Sequence, residues 1–247
     1  MKRPAVDSEV EEQAIQAERY SAIAADYEDV HSDPEHEVAF WHLVGMLGLL
    51  RAESILDVGA GTGRVLLKFK RARPDLHLRG VEPVDALRNA GYAKGLSPEE
   101  LTDGSGYALP FSDESFDVVC EFGVLHHVRH PHRMVTEMMR VARKAIFISD
   151  SNNFGGGSRP ARAIKQTLHA LRLWPMVNYL KTGGRGYSIS RGDGLFYSYS
   201  VVDSLPLLRT KCSLVHMMNT TPAKPNLYRT ANHLAVLAVK DGALRKV

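Results

Sequence analysis

The sequence predicts an α/β fold built on a mostly parallel sheet, and three observations carry the prediction. Apolar runs of strand length alternate with helix-length amphipathic stretches from residue 54 to residue 149. The first of these runs ends in a glycine loop, Gly59-Ala60-Gly61-Thr62-Gly63, that opens a helix pattern. The composition, 44% hydrophobic and 24% charged over 247 residues, is that of an ordinary globular chain. Alternation of this kind builds βαβ units, whose strands lie parallel.

The elements follow in order. Ser8-Glu9-Val10-Glu11 fits a capping box, so a helix starts near Ser8 and runs towards Asp29. A second helix spans about Glu35 to Leu50, with Val38, Phe40, Trp41, Val44, Leu47 and Leu50 on one broad face. Strands are expected at Ser54–Val58, Leu76–Val81, Phe116–Cys120 and Ala145–Ser149, and helices at Arg64–Arg71, from Val84, and at Pro131–Ala142. After Ser151 the alternation breaks. Asn152 to Ser158 is a loop, Ala161 to Leu173 a helix ended by Trp174-Pro175, and Gly183 to Gly194 a glycine-rich irregular stretch. A helix at Val201–Arg209 and strands at Leu214–Met218 and Leu234–Val239 close the chain.

Composition narrows the function classes. Cys120 and Cys212 stand too far apart for a metal-type pair, which removes a disulfide framework and a Cys-based zinc site. The N-terminus lacks the apolar run of a signal peptide, and Val38 to Leu50 is too short to span a bilayer, so a soluble cytoplasmic protein with no membrane span is expected. Charge is uneven: residues 1–50 balance at −8, whereas 151–200 carry seven Lys/Arg against Asp193 alone. These cations are spread out rather than packed into a dense run, so no nucleic-acid partner is expected.

The chemistry concentrates in Ile55-Leu56-Asp57-Val58 and the glycine loop behind it. Backbone without side chains packs closely against a ligand, and the next helix offers its free N–H groups. A dinucleotide fingerprint would need Gly at position 64, where this chain has Arg64; that spacing disfavours a nicotinamide oxidoreductase. Glu82 ends the second strand, where an acid commonly accepts hydrogen bonds from ribose hydroxyls.

With these residues the chain resembles the class I S-adenosylmethionine-dependent methyltransferases of the type-11, ubiquinone/menaquinone-methyltransferase-like family. Four blocks over about residues 50–150 carry the resemblance: Leu56 to Gly63, Val81-Glu82-Pro83, Ala108 to Val119, and Val124-Leu125-His126-His127-Val128 followed by Glu137 to Val141. It implies a Rossmann-like, mostly parallel seven-stranded sheet with helices on both faces, which the N-terminal helical segment precedes; the insertion after the fifth strand leaves the carboxyl end of Ala145–Ser149 at the rim of the site and is expected to form a lid. It also implies S-adenosylmethionine as cofactor, with Gly59, Ala60, Gly61 and Gly63 passing beside its methionine part and Glu82 holding both ribose hydroxyls. Asp57, Pro83, Gly104 and an N-terminal Tyr27 complete the implied cofactor set, with Tyr20 the other aromatic of that first helix. The family's Gly-Asp before Leu-Pro-Phe falls here on Gly104-Ser105, leaving Ser105 or Asp103 for the adenine edge.

The 247 residues are expected to form one domain in four parts: a helical cap at 1–50, the cofactor-binding core at 51–150, an insertion at 151–199, and a closing helix and strands at 200–247. Glu121, just beyond the fourth strand, is a candidate for the cofactor's amino group, an acceptor hydroxyl or the base, against a solvated strand-end acid. His126 and His127 are candidate bases because imidazole titrates near neutral pH. With His130 and His132 they lack a carboxylate partner at metal-ligand spacing, and no metal is expected. Tyr187, Phe196, Tyr197 and Tyr199 either stack on an acceptor or pack the insertion. The acceptor reading is O-methylation of a small hydroxyl-rich carbohydrate or phosphate-bearing molecule, suited to the basic, Tyr-rich insertion. N- or C-methylation, and a non-catalytic cofactor-binding module, are the alternatives; for the insertion, a rigid cap or a homodimer contact.

Overall fold

The computed structural model describes residues 8–24, 34–190 and 194–244. Two helices, α1 (Ser8–Ile23) and α2 (Pro34–Leu50), precede the alternating core. The core runs β1 (Ser54–Val58), α3 (Arg64–Ala72), β2 (His77–Val81), α4 (Asp85–Ala93), β3 (Leu101–Thr102), β4 (Phe116–Phe122), α5 (Pro131–Val141) and β5 (Ala142–Ser151). The insertion holds α6 (Arg159–Ala170), α7 (Trp174–Lys181) and strands β6 (Tyr187–Ser190) and β7 (Gly194–Tyr197). The chain closes through α8 (Leu205–Leu208), β8 (Leu214–Asn219), α9 (Leu227–Thr230) and β9 (His233–Val239).

Seven strands form one sheet in the order β3-β2-β1-β4-β5-β9-β8. The first five pair in parallel, β9 runs antiparallel to β5, and β8 antiparallel to β9. β1, β4, β5 and β9 are apolar along most of their length because both sheet faces are covered. Phe40, Leu43 and Leu47 of α2 and Leu66 and Phe69 of α3 bury one face. Met134, Val135, Met138 and Met139 of α5 and Leu208 of α8 bury the other. Strand order reverses between β1 and β4, so a crevice opens beyond their carboxyl ends, where open α/β sheets bind ligands.

The structure departs from the sequence reading at several places. The first helix stops at Ile23, and the segment on to Asp29, with Tyr27, lies outside the described residues. Trp174-Pro175 begins a helix rather than merely ending one, because Pro fits the first helical turn, where its missing N–H has no partner to lose. The stretch 183–194 is half hairpin: β6 pairs with β7 from Tyr187↔Tyr197 to Ser190↔Gly194. β4 extends two residues past Cys120, which places Glu121 inside the strand instead of beyond it.

Candidate active site

A cavity of about 270 Å³ fills the crevice at the strand ends. Its floor is Gly59 and Gly61 after β1, and Glu82 and Pro83 after β2. Ser105 and Tyr107 form one side; Phe122, Gly123 and Val124 after β4, with His127 and Arg129, form the other. Glu12, Gln16 and Tyr20 of α1, together with Tyr197 of β7, make the roof.

The floor is shaped by backbone. Gly59, Gly61 and Gly63 have φ of 74°, 56° and 70°, a left-handed run that side chains rarely tolerate. A Cβ on Gly59 would lie 2.6 Å from Val124 Cγ2, across the cavity edge. Glu82 is 5% exposed; its Oε2 accepts from the Gly61 N–H and its Oε1 from the Val84 N–H, both at 2.9 Å. Burial pushes the Glu82 carboxyl up to about 7, against the pull of those two N–H groups. Each oxygen keeps a further lone pair, so a buried acceptor faces the cavity beside an open glycine floor. This donor and acceptor set fits a ribose diol and the methionine tail of S-adenosylmethionine.

Asp57 lies behind the floor rather than in it. Its side chain is buried, Cys120 Sγ donates to its Oδ1 at 3.8 Å, and burial raises its carboxyl to about 7. Ala60, Gly63 and Gly104 likewise support the cavity without lining it. Ser105 does line it, with its Oγ accepting the Tyr107 N–H at 3.2 Å. Asp103 is exposed and takes Arg88 Nη1 at 2.9 Å, outside the cavity.

The three candidate catalytic side chains part company. Glu121 is fully buried and away from the cavity wall, which overturns the solvated strand-end alternative. Its Oε2 accepts the Val124 N–H at 2.8 Å and its Oε1 the Ser149 N–H at 3.0 Å, and burial, with Asp150 near, pushes its carboxyl well up. His126 stands off the wall and meets Asp150 Oδ1 through Nδ1 at 2.7 Å. Burial opposes the Asp150 charge, but His126 and the Ser151 N–H hold its carboxyl well below the usual range. His127 lines the cavity, its ring 3.9 Å from that of His126. The Leu195 carbonyl, 2.6 Å from His127 Nδ1, only accepts, so Nδ1 is the donor of this bond and any basic nitrogen of the ring is Nε2.

The sequence reading named Tyr20 and Tyr197 of the roof but missed the joint that ties it together. Arg129 makes two hydrogen bonds to the Glu12 carboxylate, one of them Nε to Oε2 at 2.7 Å, and Tyr197 donates its hydroxyl to Oε2 at 2.6 Å. The Leu195 N–H donates to Gln16 Oε1 at 2.7 Å, and the Tyr20 ring meets His127 edge-on at 5.9 Å. The only sequence signal for this joint was the charge imbalance between an acidic N-terminal segment and the basic remainder. Of the four insertion aromatics, Tyr197 reaches the cavity; Phe196 packs on His126 at 5.1 Å and Tyr199 is buried against Ser204.

Comparison with known proteins places this architecture. The type-11 family profile, described as a methyltransferase domain, matches residues 56–148. An uncharacterized methyltransferase of Mycobacterium marinum is 35% identical over 133 residues, covering 53% of this chain and 49% of that one. One from Schizosaccharomyces pombe is 31% identical over 108 residues, 40% of this chain and 39% of the relative. The chain thus spans about half the length, or less, of the curated relatives it matches. Among solved structures, 1,6-didemethyltoxoflavin-N1-methyltransferase of Burkholderia thailandensis, with its substrate and S-adenosylhomocysteine bound, superposes with a TM-score of 0.62 at 18% identity, covering 97% of this chain and 93% of that one. Magnesium protoporphyrin IX methyltransferase of Synechocystis, with S-adenosylhomocysteine bound, gives 0.59 at 14% identity, covering 93% and 100%. At such identities these two likenesses show the fold alone. Residues 56–148 match the methyltransferase domain of the type-11 family, and the fold that holds them is shared with S-adenosylmethionine-dependent methyltransferases.

Proposed function

We propose that the protein transfers a methyl group from S-adenosylmethionine to a hydroxyl of a small molecule held under the α1–β7 roof. The observation that carries this reading is His127, an imidazole on the cavity wall whose Nδ1 is committed to Leu195 O at 2.6 Å, so that Nε2 is the ring nitrogen that serves as the base. When bound, the cofactor supplies a methyl on a sulfonium sulfur, and the acceptor oxygen displaces that sulfur in line. His127 Nε2 takes the hydroxyl proton, Glu82 and the glycine floor fix the cofactor, and the roof excludes water. Glu121 acts as a positioning residue, pinning the Val124 N–H and hence the turn that presents His127.

The cavity wall supports a hydroxyl on a largely apolar skeleton better than a polyhydroxylated sugar. Tyr20, Phe122, Val124, Val128 and Met134 dominate it, and the aromatic insertion residues that suggested sugar stacking lie mostly elsewhere. The part of the insertion that closes the site is the β6–β7 hairpin. The other end of the insertion is packed down, since a Cβ on Gly155 would run into the Ala231 carbonyl. The test is incubation with methyl-labelled S-adenosylmethionine and two metabolite pools, one rich in sugars and one in hydroxylated apolar compounds, read by mass spectrometry. A labelled O-methyl product from the apolar pool, lost in His127→Ala, supports the proposal; label on nitrogen or carbon, or a sugar product, overturns the acceptor assignment.

A further inference from the structure

The helical pair of the insertion has two unlike faces. Inward, Trp174 donates its indole N–H to Ser198 Oγ at 2.7 Å, Phe154 stacks on His169 with ring centres 4.1 Å apart, and Gln166 Nε2 donates to Phe154 O at 2.8 Å. These contacts fix α6 and α7 to the body. Outward, α6 buries no residue, and Ile164, Leu171, Leu173, Met176, Tyr179 and Leu180 are exposed, Met176 at 57% and Leu180 at 70%. Met176, Tyr179 and Leu180 recur at i, i+3 and i+4, so they share one face of α7. Ile189 of β6, 56% exposed, continues the apolar surface onto the hairpin that roofs the cavity.

Charge says what this face meets. From residue 151 to residue 192 the chain holds seven Lys and Arg and not one Asp or Glu. Arg172 and Lys181 bracket the apolar face of α7, where long cationic side chains lie along apolar surface and keep their charges at its edge. No helix of the described residues is long and apolar enough to cross a membrane. An amphipathic face with flanking cations and no Asp or Glu in its own segment, the carboxylate that α6 meets being Asp203 against His169 on the inner side, is instead matched to the plane of an anionic bilayer. A protein partner recognised by the same face would have to be acidic and apolar at once, and nothing here selects one.

We propose that the outer face of α6 and α7 docks on an anionic lipid surface, with Met176, Tyr179 and Leu180 entering the headgroup boundary and Arg172 and Lys181 on lipid phosphates. Docking sets the hairpin, and with it the cavity roof, against the bilayer. The inference is independent of methyl transfer, because its test reads binding and not turnover.

The full chain is sedimented with phosphatidylcholine vesicles with and without about a third phosphatidylglycerol. Binding to the anionic vesicles is expected to exceed that to neutral ones by about ten-fold and to fall by a similar factor in ~0.5 M salt. Met176→Asp with Leu180→Asp should abolish binding while the melting curve stays unchanged, since both side chains are exposed. Arg172→Glu with Lys181→Glu should erase the preference for anionic lipid. A parent chain that stays in solution with anionic vesicles at low salt overturns the proposal. So does binding that survives the double aspartate variant, or equilibrium sedimentation showing a dimer that the variant dissolves in place of any vesicle binding.

Discussion

Arg129 and Glu12 stand 117 residues apart in the chain and meet in a two-bonded ion pair that also takes the Tyr197 hydroxyl at 2.6 Å. The joint ties α1, the segment after the fourth strand and the β6–β7 hairpin into one roof over the cavity. Glu12 is only 6% exposed, so these partners take the place of water around its carboxylate.

Removing Arg129 leaves that carboxylate nearly buried and uncompensated. Arg129→Ala is expected to lower stability by about 1–3 kcal/mol, less than a fully buried pair because the arginine is partly solvated. It should also raise the KM for the acceptor several-fold while S-adenosylhomocysteine affinity changes little. Thermal melts and steady-state kinetics check both; a normal KM would detach the roof from acceptor binding.

The pH dependence follows from Glu82. Its carboxyl, raised to about 7 by burial, keeps a proton that the unfolded chain releases near its ordinary value. Its contribution to stability therefore falls as pH rises from about 4.5 through 7. Ribose hydroxyls donate to the carboxylate, so cofactor binding expels that proton and affinity climbs between about pH 6 and pH 8. Asp57, raised to about 7 and facing Glu82, works in the same sense, while Arg88 favours the charged form of Glu82. Calorimetry of S-adenosylhomocysteine binding across that range should show the rise in the parent and a flatter profile in Glu82→Gln.

The two adjacent histidines separate by experiment. His127→Ala should cost on the order of a hundred-fold in kcat with cofactor affinity retained. His126→Ala leaves Asp150 charged, fully buried and without its imidazole partner, so its main effect is a loss of about 2–4 kcal/mol in stability. Similar kinetic losses with unchanged melting in both would assign the proton to the pair instead.

At the adenine edge, Ser105 lines the cavity and Asp103 faces Arg88 outside it. Asp103→Ala is expected to leave S-adenosylhomocysteine affinity within about two-fold. Ser105→Asp should bind at least as tightly as the parent, because a carboxylate is the stronger acceptor for an amino group. Weakening by Asp103→Ala would reverse the assignment.

The core was legible because its signals are local. Ile55 to Val58, the Gly59–Gly63 loop and Glu82 each announce a strand end within a few residues, and the sheet follows from their alternation. The β6–β7 hairpin was not, because Gly183, Gly184 and Gly186 stand just before it and Gly194 opens its second strand, so two strands of four residues are lost among loop signals and pairing alone reveals them. The joint of the roof was missed for a different reason: Glu12 and Arg129 carry no motif, and only the folded chain brings them together. Glu121 falls inside β4 and not beyond it, and turns inward to backbone N–H groups of Val124 and Ser149, a choice between two strand faces that spacing near a strand end does not fix.

The central claim is that the cofactor lies on Gly59 and Gly61 with its ribose on Glu82. Isothermal titration with S-adenosylhomocysteine, run on the parent and on Glu82→Ala at pH ~8, tests it most directly. The account predicts saturable one-to-one binding by the parent and a loss of about 1.5–3 kcal/mol, roughly ten- to hundred-fold, in the variant. A folded parent that does not bind, or a folded Glu82→Ala that binds as tightly as the parent, contradicts it.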